Sequence, residues 1–171
     1  MLFKLLSKKL LVKIKNKSLR KILLVLFGLG VIVYFTTTLI VIPFISPDPV
    51  ITSFPSSCPK PNNCTRIADT NNREPNVKPP VLNATISQVD QAVSDWAGGQ
   101  TILYNTSTFF HIRWTMLLTG FRDDVMILLK PTGSNQTTVW IQSQSRLGEW
   151  DFNTNTNRVN GFLERVEILF T

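Results

Sequence analysis

The sequence is poor in the residues that most often bind metals or carry out catalysis. It has two cysteines, Cys58 and Cys64, and a single histidine, His111, among 171 residues. The common Cys/His zinc patterns need more ligands than these residues supply, and the cysteine spacing differs from the Cys-x-x-Cys motif of redox enzymes. The sequence also lacks a Ser-His-Asp order, a nucleotide-binding loop and a metal-ligand spacing. We therefore expect no metal site and no cofactor.

Acidic residues are missing from one part of the chain. The first 21 positions hold eight of the 18 basic residues and no acid, so the remaining chain has 10 basic and 11 acidic residues. The net charge of +7 therefore comes from a short basic segment, residues 1–21, and not from a charged face of a folded domain. This distribution argues against nucleic acid as a partner.

Residues 22–45 form an apolar run in which Tyr34 is the only ionisable side chain. About 20 apolar residues suffice for a helix to cross the hydrocarbon core, so the run predicts one transmembrane helix in a lipid bilayer. A cleaved signal peptide is the alternative, but its apolar core usually has about 7 to 15 residues and ends at a small-residue cleavage site. We favour an uncleaved, single-pass anchor.

The charge on either side of this run predicts its orientation. The positive-inside rule leaves the basic N-terminus on the cytoplasmic or stromal side of the membrane. Residues 46–171 are then expected in a periplasmic, lumenal or extracellular compartment.

Residues 46–83 contain eight of the ten prolines, among many Ser, Asn and Thr residues. Proline removes backbone donors and favours extended conformations, so we expect a semi-stiff stalk that holds a domain away from the membrane. Cys58 and Cys64 lie within this segment. An oxidising exported compartment favours a disulfide between them, and two unpaired thiols are the alternative.

The periodicity of residues 84–171 predicts a folded domain. A first helix has apolar residues at helical spacing from Ile86 to Trp96, with a capping box at Thr85 and Gln88 or at Ser87 and Asp90. Apolar residues from Val159 onwards predict a closing helix. Four segments between the helices read as strands: 101–104, 109–118, 124–130 and 138–142. The predicted fold is α+β, a two-layer sandwich in which a four-stranded antiparallel meander is flanked by an N-terminal and a C-terminal helix.

The segment between the fourth strand and the closing helix must reverse direction within fewer than ten residues. Gly148 and Asn153 can adopt left-handed backbone conformations there. Arg158 falls in the first turn or so of the helix, where the dipole favours anions. We expect Arg158 to have a negative partner, and the candidates are Asp151, Glu149, Asp123 and Asp124. The N-cap candidates are Asp151, Asn153 and Asn155.

Three ordered motifs carry a resemblance to a known family. Their matching residues are Cys58, Pro59, Asn63 and Cys64, then Phe121, Asp123, Asp124 and Val125, and finally Ser143, Ser145, Arg146, Gly148, Asp151, Asn155, Arg158 and Val159. Over residues 58 to about 168 the chain resembles the domain of unknown function 1499 family. It departs from the family pattern at Asn153, where the family has Gly, and at Thr65-Arg66-Ile67. The family has no established activity, so the resemblance implies no reaction.

Two classes of function remain open. We favour a non-catalytic module that binds a membrane protein or helps to assemble a membrane complex, with Trp140 and Trp150 as candidate contact residues. The alternative is an anion-, metal- or lipid-binding domain or a hydrolase-like enzyme that uses a cluster of Asp and Arg residues. The candidate site residues of this cluster are Asp123, Asp124, Ser143, Ser145, Arg146, Gly148, Asp151, Asn155 and Arg158.

For the cluster itself, an internal network of ion pairs and helix caps is the favoured interpretation. Arg122, Arg146 and Arg158 face enough acids nearby to be neutralised within the domain. Neighbours on one strand point to opposite faces, so Asp123 and Asp124 need not share a site. His111 is more often a surface or packing residue in such a setting than a general base. A lipid ligand would need a cavity between the sheet and the helices.

Overall fold

The computed structural model describes residues 17–170, which fall into two compact units that divide between Ile45 and Ser46. Residues 1–16, most of the predicted basic segment 1–21, lie outside the described residues. The prediction about that segment therefore stays a prediction.

The described residues of the first unit are helical. Helix α1 spans Lys17–Thr36, a π-helical turn follows at Thr37–Val41, and the short helix α2 spans Ile42–Ile45. Among the described residues, one stretch is long and apolar enough to cross a membrane, Lys17–Val41, with a mean hydropathy of 2.4. Its 25 residues rise about 38 Å, more than the hydrocarbon thickness of about 30 Å. An apolar helix of spanning length is thus confirmed.

The second unit contains one antiparallel sheet and two helices. Its elements are β1 (Cys64–Ile67), β2 (Val81–Leu82), α3 (Ile86–Ala97), β3 (Thr101–Asn105), β4 (Phe109–Thr115), β5 (Arg122–Gly133), β6 (Gln136–Ser145) and α4 (Thr154–Phe170). The strand order is β1-β6-β5-β4-β3, and β2 also pairs with β6. The predicted α+β class is confirmed, and the four predicted strands form the expected meander.

Local sequence signals account for the ends of the helices. Helix α3 starts with the predicted capping box, in which the Thr85 hydroxyl accepts from the Gln88 N–H and the Gln88 side chain accepts from the Thr85 N–H.

Strand β4 is shorter than predicted. It ends at Thr115 because the chain turns at Gly120, which has a φ of 70°, and the Met116 N–H bonds to the Phe121 carbonyl.

The helices pack on one face of the sheet and form the apolar core. Val89 and Val93 of α3 and Phe162 of α4 are fully buried against sheet residues that include Ile112 and Ile141. This buried face can be predicted from the sequence, because its apolar residues alternate along each strand and recur at helical spacing along each helix. Both helices therefore cover one face of the sheet, as the predicted two-layer sandwich requires.

The predicted stalk, residues 46–83, is corrected by the structure. Two of its segments become β1 and β2, which pair with β6, and β1 runs in register from Cys64 opposite Gln144 to Ile67 opposite Ile141. The domain therefore begins at Ser46 and not at residue 84. The strands are too short to show periodicity, and prolines occur only around them, so composition alone suggested an extended linker. The disulfide is present, with the Cα atoms of Cys58 and Cys64 5.8 Å apart.

The start of the predicted stalk lies on the sheet face opposite the helices. We call residues 46–57 the strap. The Pro55 carbonyl accepts from Arg66 at 2.5 Å, the Ser57 carbonyl accepts from Gln142 at 3.3 Å, and the Phe54 ring packs on Trp140 with centroids 5.7 Å apart. Each face of the sheet is therefore covered, one by helices and the other by the strap.

Candidate functional site

The candidate residues on the helix side surround one buried ion pair. Arg158 Nη2 lies 2.7 Å from Asp123 Oδ2, and the side chains of both residues are almost fully buried. Arg158 Nη1 donates to Ser143 Oγ at 2.8 Å and to Asn155 Oδ1 at 2.9 Å. We call these four residues, Asp123, Ser143, Asn155 and Arg158, the helix-face cluster. The expectation that Arg158 has a negative partner is confirmed, and that partner is Asp123.

This cluster joins three elements of the domain. Asp123 lies at the start of β5, Ser143 lies near the end of β6, and the other two residues belong to the first turns of α4. Asn155 also donates to Ser145 Oγ and to the Asn63 carbonyl, each at 3.1 Å. The guanidinium of Arg158 lies 5.2 Å from the centre of the Trp114 ring. The polar groups therefore position α4 on the sheet.

We call residues 146–153, between β6 and α4, the corner. It contains the predicted left-handed positions. Gly148 has a φ of 85° and Asn153 has a φ of 65°. Phe152, which precedes Asn153, also has a positive φ, of 51°. Asp151 accepts from the N–H groups of Asn153 at 3.2 Å and Asn155 at 3.0 Å, which makes it the capping residue among the three candidates.

Asp151 is held by a residue from the segment first taken for a stalk. Arg73 Nη1 lies 2.7 Å from Asp151 Oδ1, and Arg73 Nη2 donates to Asn153 Oδ1 at 3.1 Å. Burial opposes ionisation of Asp151, but the Arg73 guanidinium and the Asn155 N–H hold its pKa below the ordinary value. The carboxylate therefore stays ionised and caps the helix.

A second group of charges lies on the strap side of the sheet. Arg146 Nη2 lies 2.7 Å from Asp124 Oδ1, and the same oxygen lies 2.8 Å from His111 Nε2. Asp48 of the strap completes the group, because its carboxylate lies 2.7 Å from Arg146 and 2.5 Å from Arg113. We call these five residues, Asp48, His111, Arg113, Asp124 and Arg146, the strap-face cluster.

The charges of this second cluster stabilise each other's ionised forms. Burial lowers the pKa of Arg146, but its hydrogen bonds to Asp124 and Asp48 outweigh this effect and raise the pKa above the ordinary value. Burial raises the pKa of Asp48, but Arg146 and Arg113 bring it below the ordinary value. The pairs are therefore matched within the domain.

The structure does not bring all the candidate residues together. Asp123 and Asp124 are sequence neighbours on β5, so one carboxylate points to the helices and the other to the strap. Ser143, Ser145, Asn155 and Arg158 lie with Asp123, and Arg146 lies with Asp124. Gly148 and Asp151 belong to the corner. The residues predicted as one cluster therefore form two clusters on opposite faces of the sheet.

Sequence reasoning missed several charged residues that bind the sheet or the corner. Asp48, Arg66 and Arg73 all lie in the segment assigned to a stalk, and each binds residues of the sheet or the corner. Their charge was the available signal. His111, expected at a surface or packing position, is fully buried and bound to Asp124. Of the two tryptophans proposed as contact residues, Trp150 is exposed, whereas Trp140 is partly covered by Lys130 and Phe54.

The geometry bears on which chemistry the two clusters can perform. Across residues 17–170, no group of three or more His, Cys, Asp and Glu side chains is arranged to hold a metal ion. Ser143 Oγ is buried and bonded to both Asn155 and Arg158, with a cationic neighbour and not a base. The arrangement is one that holds structural elements together.

A family comparison agrees with this domain description. The family described as protein of unknown function (DUF1499) matches residues 56–166. The chain belongs to the DUF1499 family. No curated protein matches the sequence significantly. The matched region of this DUF1499 protein includes the disulfide, the helix-face cluster and every member of the strap-face cluster except Asp48.

Proposed function

We propose that this DUF1499 protein is a membrane-anchored, non-catalytic binding module whose domain faces the exported compartment and binds a membrane protein. The observation that carries the proposal is that the buried charges of both clusters are matched inside the domain. Groups committed to each other in this way are poor candidates for a reaction. Binding surfaces must then be sought on the outside of the domain.

Two features support the membrane anchor and its orientation. Lys17–Val41 is longer than the minimum for a transmembrane helix, and none of its most apolar window is buried. The Cys58–Cys64 disulfide suits an oxidising compartment, which is what the positive-inside rule predicts for the residues that follow the helix.

A groove beside α4 offers a surface for the protein partner. It has a volume of about 810 Å³ and is lined on one side by Trp96 and Trp114, whose ring centres are 4.7 Å apart. On the other side, Ile168 and Leu169 of α4 are exposed apolar residues, and the charged residue Arg165 lies beside them. Tryptophan and arginine are enriched in protein interfaces, where apolar centres are surrounded by polar rims.

The partner can be tested with the full chain extracted from its native membrane in mild detergent. We expect it to migrate on a native gel within a larger complex, and the double variant Ile168→Glu/Leu169→Glu to migrate alone. The matched control is Val50→Glu, which changes an exposed apolar residue of the strap and should leave the complex intact. Migration of the wild-type protein alone would contradict the proposed partner.

The anchor can be tested separately from the partner. The protein should stay with the membrane after alkaline extraction, and mass spectrometry should find an uncleaved N-terminal segment. Recovery of a chain that begins after residue 45 would show a cleaved signal peptide instead.

A further inference from the structure

One end of the domain carries large apolar side chains that project from two loops. Leu117 and Phe121 come from the loop between β4 and β5, and they are 95% and 45% exposed. Trp150 and Phe152 come from the corner between β6 and α4, and they are 67% and 92% exposed. We call these four residues the apolar rim. Such exposure of neighbouring aromatic and aliphatic residues marks an interaction surface.

The two loops of the apolar rim face each other across a cavity. It has a volume of about 480 Å³, and Phe121, Trp150 and Phe152 contribute to its lining. Arg122, Asp123 and Asp151 are its charged lining residues. Three residues of the rim therefore belong to one surface, and Leu117 lies in the same loop as Phe121.

The backbone holds one ring of the rim outward at a conformational cost. Phe152 has a φ of 51°, a left-handed conformation that bulky residues rarely adopt. Asp151 and Asn153 on either side of it are both bound by Arg73, which keeps the corner in this shape. Burial within the domain does not offset this cost, because Phe152 is 92% exposed. A partner outside the domain would explain its position.

The charged group on the strap side of the apolar rim has one more positive than negative side chain. Arg113, Arg122 and Arg146 converge on Asp48, and Arg122 makes the longest of the three contacts, at 3.8 Å. Asp124 is the second carboxylate in this group, so three guanidinium groups face two carboxylates. Arg122 also lines the cavity between the loops of the rim. This arrangement complements a negatively charged surface.

The start of the domain lies at the same end. Arg122 Nη1 and Arg146 Nη1 each donate to the Ser46 carbonyl at 3.4 Å. Ser46 directly follows Ile45, the last residue of the apolar first unit, and consecutive Cα atoms are about 3.8 Å apart. A chain that leaves a bilayer at residue 45 therefore brings Ser46, and the residues that bind it, to the lipid surface.

We propose that the apolar rim inserts into the interface of an anionic lipid bilayer, with Arg122 beside the lipid headgroups. Tryptophan and other large apolar side chains next to arginine are typical of residues that lie at the boundary between headgroups and acyl chains. The inference rests on the membrane anchor of the proposed function and is independent of the protein partner at the α4 groove.

Lipid quenching of tryptophan fluorescence tests this docking in the full chain. The protein is reconstituted into nanodiscs made of equal parts phosphatidylcholine and phosphatidylglycerol, with brominated acyl chains as the quencher. The chain has four tryptophans, so quenching of Trp150 alone should remove about a quarter of the fluorescence emission. In Trp150→Phe, the brominated lipid should quench none of the remaining emission. Failure of the chain to enter nanodiscs would contradict the anchor, whereas entry without quenching of Trp150 would overturn only the docking.

Two further variants separate the apolar and charged contributions. Leu117→Glu should reduce the quenching of Trp150 at least twofold, whereas the matched control Val50→Glu should leave it unchanged, because both residues are exposed and not part of the core. Arg122→Gln should remove the difference between nanodiscs with and without phosphatidylglycerol. Equal quenching in Leu117→Glu and the wild type would overturn the proposal. Shielding of Trp150 from solvent in native vesicles, but not in nanodiscs that contain no other membrane protein, would also overturn the proposal. It would indicate a protein partner instead.

Discussion

Asp123 and Asp124 are adjacent, almost fully buried and bound to arginine, yet the two faces of the sheet use them differently. On the helix face, Asp123 binds Arg158 within a regular element whose apolar residues already pack on the sheet. On the strap face, Asp124 binds Arg146, which in turn binds the strap through Asp48 and the carbonyls of Ser46 and Pro47. The first pair orients a helix, whereas the second fastens a segment that has no regular structure of its own.

This difference shows what buried ion pairs can contribute in one small domain. An ion pair beneath a packed helix adds specificity to a position that apolar contacts also favour. No residue of the strap belongs to the apolar core beneath the helices, so its polar contacts contribute more to its position. Substitutions on each face, and reduction of the disulfide, test this distinction.

The largest loss of stability is expected for Arg158→Ala. The substitution leaves the Asp123 carboxylate buried without its guanidinium partner, and breaking a buried pair in this way typically costs about 3–5 kcal/mol. Thermal unfolding of the full chain in detergent measures the effect, and Arg165→Ala, an exposed position on the same helix, is the control. Added phosphate should restore no stability. A wild-type domain strongly stabilised by phosphate, with no such effect in the variant, would instead identify an anion site.

Arg146→Ala should destabilise the domain less, by about 2 kcal/mol, because Asp124 keeps its contact with His111. Its effect should also be local. Hydrogen exchange should become faster in residues 46–57 and stay unchanged in α4, whereas Arg158→Ala should accelerate exchange in α4. Equal acceleration of both regions by either substitution would mean that the two clusters do not act separately.

Reduction of the disulfide should lower the stability of the domain by an intermediate amount. Cys58 and Cys64 are six positions apart, and closing so short a loop restricts the unfolded chain by about 2 kcal/mol in the loop-entropy description. Urea denaturation with and without reductant measures the loss. The variant Cys58→Ala/Cys64→Ala should be insensitive to reductant, and a reductant effect that persists in it would have another cause.

The smallest effect, on the order of 1 kcal/mol, is expected for Arg73→Ala, and it depends on pH. The folded domain lowers the pKa of Asp151 below its ordinary value of 3.8, so the ionised carboxylate stabilises the fold above that pH. This contribution is lost as the pH falls through the lower, folded value. Without Arg73 the folded pKa should move back up, so acid unfolding followed by circular dichroism should begin at a higher pH. Lys60→Ala breaks an exposed pair with Glu149 and should leave the acid transition unchanged.

Much of the fold could be predicted because its signals are local. The capping box at Thr85, the alternation along β4 and the left-handed positions at Gly148 and Asn153 depend on residues close together in the chain. The need of Arg158 for an anion could also be predicted, since the helix dipole acts within one turn. These features follow from backbone geometry that does not depend on distant partners.

The assignment of residues 46–83 failed because its signals are not local. Four residues of β1 show no pattern that distinguishes them from a linker, and they become a strand only because β6 offers them an unpaired edge. For the same reason, Arg73 and Asp48 could not be assigned to the corner and the strap-face cluster. Proline content shows which residues lack a backbone N–H donor, but it does not show which of the residues around them form hydrogen bonds with the sheet.

The apolar helix, the α+β class, the order of the meander and the presence of an acid beside Arg158 all follow from periodicity or charge within a short stretch of chain. Long-range pairing of the strands was needed to show that this acid is Asp123 and that its neighbour Asp124 binds residues on the opposite face. It also brought Phe121 to the same cavity as Trp150 and Phe152, because two loops from different parts of the chain become neighbours only when β4, β5 and β6 pair.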